Sequence, residues 1–119
     1  MRPFLLALFV LAPINVTAQP FSESMLECAA LYQNSAQFVT SEQASERLLR
    51  AARLWADSAY DQSCAEGNPL DPISVWDRID QKSAEWEAKG PALFFTEEYR
   101  DWMKYCRSFA HSRGLNLGT

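Results

Sequence analysis

Histidine occurs once in this sequence, glycine four times and cysteine three times, and each scarcity removes a class of chemistry. With His111 as the single imidazole there is no H-E-x-x-H zinc helix. Scattered glycines build neither a phosphate-cradling loop nor the G-x-S-x-G turn of a serine hydrolase. The cysteines, Cys28, Cys64 and Cys106, lie more than thirty residues apart. They therefore lack the short paired spacing of a structural zinc site, a C-x-x-C dithiol or a c-type haem attachment. Basic residues are also in the minority, 11 Lys+Arg against 15 Asp+Glu for a formal charge of -4. That balance argues against a nucleic-acid partner, since phosphate binding needs a basic surface. No catalytic or cofactor motif stands out, and no cofactor or metal is expected.

No apolar run reaches the roughly 20 residues needed to cross a bilayer. The longest, residues 4–11, follows Met1 and Arg2 and precedes Val16-Thr17-Ala18, which carries small residues at the two positions a signal peptidase reads. Residues 1–18 are thus expected to be an export signal, and residues 19–119 a single mature domain with no transmembrane segment. The expected compartment is periplasmic or secreted.

What the mature part has is helical periodicity, with no alternating strand pattern beside it. The first segment is expected over residues 24–39, with Ser24 and Glu27 as a capping box and Met25, Cys28, Leu31, Tyr32, Ser35 and Val39 on one face. The second starts at Thr40 or Ser41 and buries Ala44, Leu48, Ala51, Ala52, Trp55 and Ala59. Its outer side carries Glu46 with Arg50 and Arg53 with Asp57 at the i, i+4 spacing of weak ion pairs. Asp71-Pro72 opens a third segment over residues 72–89, with Ile73, Trp76, Ile79, Ser83 and Trp86 inward, and Gly90-Pro91 closes it. After the apolar connector Ala92-Leu93-Phe94-Phe95, Thr96 caps a fourth whose stripe is Tyr99, Trp102, Met103, Cys106, Phe109 and Ala110. The tail from Gly114 is too short and polar to pack firmly. The expected architecture is all-α, a small antiparallel four-helix bundle.

In an up-down-up-down bundle the first and fourth helices are neighbours, and Cys28 and Cys106 both fall on their apolar faces. A Cys28–Cys106 disulfide is the expected staple. Cys64 points to the polar side and is read as a free thiol, exposed or intermolecular. Its neighbours Asp61 and Glu66 are the wrong setting for a reactive thiolate.

Arg100, Lys104, Arg107 and His111 share one side of the fourth segment. They form either a surface for an acidic partner, a phosphate-bearing ligand or lipid headgroups, or a solvated face or cross-helix match to the acidic stretch between residues 57 and 98. Phe94 and Phe95 are hard to bury together and mark a candidate apolar patch. Asp77 with Asp80, and Glu97 with Asp101, have helical spacing but no sign of a cleft, and are read as surface acids. The functional expectation is a non-catalytic accessory or inhibitory factor that binds another exported or membrane-attached protein. The alternative is a periplasmic carrier of a small apolar ligand or metal, using the bundle interior or the end where three thiols gather.

Overall fold

The computed structural model describes residues 19–118. The export signal read at residues 1–18 lies outside the described residues. Four helices follow in order: α1 (Phe21–Ala36), α2 (Glu42–Ala65), α3 (Pro72–Glu87) and α4 (Glu97–Ser112), with a 3-10 turn at Pro91–Phe95 before the last. Among the described residues there is no strand, and no helix is long and apolar enough to cross a membrane. The protein is an all-α antiparallel four-helix bundle.

α1 is the axis of that bundle. Its sequence carries only Glu23 and Glu27 as charges, and small or apolar residues occupy almost every other position. A helix without a polar face buries itself on all sides. Leu26, Ala29, Ala30 and Asn34, which lie off the expected face, are as buried as Cys28 and Leu31 on it. α2 packs on α1 through Ala51, Ala52, Ala56 and Ala59, whose small side chains bring the backbones close around the fully buried Trp55.

The start of α1 departs from the sequence reading. The helix begins at Phe21, not Ser24, after Pro20, which supplies no side-chain cap. Glu66, just past the end of α2, does that work from another helix, accepting the Ser22 backbone N–H at 3.2 Å and the Ser22 hydroxyl. A negative group there also suits the helix dipole. α1 ends at Ala36, so Val39 stands exposed in the connector. There the Ser45 hydroxyl donates to the Ala36 carbonyl at 3.1 Å.

The remaining caps follow the sequence closely. Ser41 accepts the Ala44 N–H, Asp71 the Ser74 N–H and Thr96 the Tyr99 N–H. Gly90, with φ 78°, turns the chain out of α3 through the left-handed region that favours glycine.

On α3 the buried side is Val75, Ile79, Ser83 and Trp86. Ile73 and Trp76, expected inward, are 76% and 37% exposed. At this end Val75 takes the buried side, beside Ala56 of α2, and both larger side chains stand outward of it. The tail differs too. Gly114 reverses the chain after α4, with the Leu115 N–H returning to the Ala110 carbonyl at 2.9 Å and the Gly114 N–H to that of His111 at 3.2 Å. This Schellman closure folds the tail back so that Leu117 is buried and Leu115 packs at the core's edge.

Cys28 and Cys106 form the disulfide between α1 and α4, with their Cα atoms 5.7 Å apart and both side chains fully buried. They are separated by 78 residues in sequence, a closure that stabilises the fold by about 4 kcal/mol on the chain-entropy model.

Candidate partner-docking face

The 3-10 turn and α4 present the surface on which most of the candidate residues stand. Leu93 is buried and anchors the turn, and the Thr96 hydroxyl locks it by donating to the Leu93 carbonyl at 2.6 Å. This geometry sends the two consecutive phenylalanines in different directions. Phe94 lies between Phe38 and Tyr99, with ring centroids 4.9 Å from each. Phe95 is 86% exposed and makes no ring contact among the described residues. Tyr99 is fixed at its far end as well, its hydroxyl 3.0 Å from that of Ser35 on α1.

From Tyr99 the surface continues along α4. Arg100, Lys104, Arg107 and His111 recur at about one per turn, and all four are exposed. Tyr99, Arg100, Met103, Lys104 and Arg107 line one open groove of about 400 Å³. Arg107 and His111 line a second, of about 390 Å³, against the folded-back tail at Leu115 and Leu117. Arg107 lines both, so the two grooves adjoin along the helix.

No hydrogen bond or ion pair engages these four cations among the described residues. The ion pairs that do form join other elements. Arg78 and Lys82 of α3 reach Glu23, Lys82 also reaches Glu27 at 3.0 Å, and Lys89 reaches Glu98 at 2.6 Å. The α3 cations are thus matched to α1, and of the acidic stretch between residues 57 and 98 only Glu98 is in an ion pair, with Lys89 rather than with the α4 stripe. The i, i+4 pairs expected on α2, Glu46–Arg50 and Arg53–Asp57, are likewise not among them.

Of the other candidates, Asp101 lines the first groove beside Arg100 and Lys104, and the rest lie apart from it. Cys64 is exposed and unpaired in the last turn of α2. With Cys28 and Cys106 joined to each other, three free thiols are not available at that end of the bundle. Among the described residues no three His, Cys, Asp or Glu side chains are grouped as metal ligands. Asp77, Glu97 and Asp101 are exposed, and Asp80 accepts the Gln33 amide at 2.9 Å.

Two carboxyls are held below their ordinary range, each by a helix-capping role. The Ser22 hydroxyl lowers Glu66, with help from Gln62 and Arg113, and the Ser74 backbone N–H lowers Asp71.

Tyr99 and Met103, expected on the apolar stripe, do pack against the core, but both are only half-buried and also line the first groove. Their position beside the cations at i+1 and i+4 is the signal that would have placed them there. Arg113 was also missed. It lies over the rings of Phe21 and Phe109, 5.1 and 5.4 Å from their centroids, and donates to Gln62. In comparisons with known proteins the chain matches no family model, no curated protein and no solved structure.

Proposed function

We propose that this protein is an exported, non-catalytic accessory or inhibitory factor that captures an acidic segment of another exported or membrane-attached protein on the α4 face. One observation carries the reading: four cations stand along one helix without partners, and the exposed Phe95 lies two residues before that helix begins. Isolated surface charges attract and orient an oppositely charged partner, and an exposed aromatic at the edge of the charge supplies an apolar anchor. The disulfide supports the location. Such bonds persist in oxidising compartments, and the proposed site of action is the periplasm or the extracellular space.

Photo-cross-linking tests the reading. A photoreactive amino acid in place of Phe95, in the organism's own exported protein, should give one adduct of defined mass. That adduct should vanish when Arg100, Lys104 and Arg107 are replaced by Glu, and persist when the exposed Arg47, Arg50 and Arg53 of α2 are replaced in the same way. No adduct, or one indifferent to the α4 charges, would refute it. The same preparation locates the mature N-terminus, expected at Gln19.

A further inference from the structure

Between α2 and α3 runs an open groove of about 360 Å³ with an unusual lining. Its floor is Ala56 and Val75, its aromatic walls are Tyr60 and Trp76, and Asp57 and Asp61 stand along the α2 edge. The two rings are 40% and 37% exposed. Trp55 packs on Phe109, and Trp86 on Trp102, whereas neither Trp76 nor Tyr60 has a ring partner among the described residues. Two unstacked rings from different helices therefore face one space.

Asp57 and Asp61 are one turn apart on α2 and so project to the same side. Neither makes a hydrogen bond or ion pair among the described residues, not even with Arg53 one turn before Asp57 on α2, and the α3 cations Arg78 and Lys82 are committed to Glu23 and Glu27. Paired carboxylates repel anions and leave a neutral occupant without a charge partner. The aromatic faces attract a cation through their quadrupoles, most strongly for tryptophan. Two carboxylates with no third ligating side chain do not make a metal site, because a hard divalent ion takes six or more oxygens. An apolar floor suits methyl or methylene groups rather than a hydrated ion.

We propose that this groove binds an alkylammonium group, either on a free quaternary amine of the choline type or at the end of a lysine side chain. The site shares no residue with the α4 face and stands or falls separately from it.

Titration followed in two-dimensional amide spectra tests the assignment with three probes: choline, its uncharged tert-butyl isostere, and an N-acetylated lysine tripeptide. At least one of the cationic probes should move the Trp76 indole signal saturably, with the isostere weaker by about tenfold. Tighter binding of choline identifies a free amine, and tighter binding of the tripeptide identifies a lysine side chain. Trp76→Ala and the pair Asp57→Asn with Asp61→Asn should each weaken binding by about tenfold, while Trp76→Tyr retains most of it. Arg107→Gln on α4 should leave it unchanged. Trp76 is partly exposed, so the spectra of its variants should match the parent away from the groove. Equal binding of the isostere, shifts that never saturate, or indifference to the Asp57 and Asp61 changes would overturn the proposal.

Discussion

The Glu27 carboxylate accepts the indole N–H of Trp86 at 2.8 Å while its other oxygen holds Lys82 at 3.0 Å. One acid on the central helix thereby satisfies a buried aromatic donor and a half-buried cation of α3. Removing it leaves the indole without a partner and Lys82 with only its longer contact to Glu23 at 3.4 Å, and an unsatisfied buried donor costs more than the hydrogen bond contributed. Glu27→Ala should lower stability by about 2–3 kcal/mol, and Glu27→Gln by about 1 kcal/mol, because the amide oxygen still accepts from Trp86. Urea unfolding measures both, and equal losses for the two variants would show that the indole bond contributes little.

The disulfide should matter more than any single side chain. For a domain whose net stability is of the order of 5–15 kcal/mol, loss of about 4 kcal/mol removes from a quarter to most of it. Replacing Cys28 and Cys106 together with Ala should cause that drop, whereas Cys64→Ser should change the urea midpoint little. Non-reducing peptide mapping should return the Cys28 and Cys106 peptides joined, and a maleimide should label Cys64 in the native protein. A linked peptide containing Cys64 would contradict the bonding.

These helices and their staple were legible in the sequence because their signals are local. Asp71-Pro72, Thr96 and Ser41 cap where they stand, and the apolar spacing places Cys28 and Cys106 on facing sides. The less legible features depend on neighbours far along the chain. Ser24 with Glu27 has the spacing of a capping box, yet Glu66 supplies the cap from α2 and Glu27 turns to Trp86. Periodicity alone places Ile73 and Trp76 inward on α3, since it cannot tell which of two adjacent stripes meets the neighbouring helices. At the candidate face the cations were visible as a spaced stripe, but the splitting of Phe94 from Phe95 depends on the 3-10 turn. Nothing in the spacing announced that Tyr60 and Trp76 would share a groove.

The cap from Glu66 makes the start of α1 sensitive to acid. The Ser22 hydroxyl, aided by Gln62 and Arg113, favours the charged form and holds the folded pKa below its ordinary 4.5. A lowered folded pKa means that the unfolded chain binds the proton first. The contribution is therefore full above about 4.5 and is lost as pH falls through the folded value beneath it. Thermal unfolding of the parent should weaken more steeply below pH 4.5 than that of Glu66→Gln. Ser22→Ala should flatten the profile in the same direction, and parallel profiles for all three proteins would remove Glu66 from the acid response.

Phe94 and Phe95 separate stability from binding within one dipeptide. Phe94 is packed between Phe38 and Tyr99, so Phe94→Ala removes two ring contacts and opens a gap in a partly buried cluster. A loss of about 2–3 kcal/mol is expected, somewhat below the range for a fully buried phenylalanine. Phe95, at 86% exposure, has almost no native contacts to lose, and Phe95→Ser should fall within about 0.5 kcal/mol of the parent. If the α4 face captures an acidic partner with Phe95 as its apolar anchor, the order reverses in a binding assay. Phe95→Ser should then weaken association by about tenfold in a protein that unfolds normally. Added salt should slow association for parent and variant alike, because the cations of α4 remain in place. A Phe95→Ser protein that binds as the parent does would move the anchor elsewhere on the surface while leaving the Phe94 packing intact.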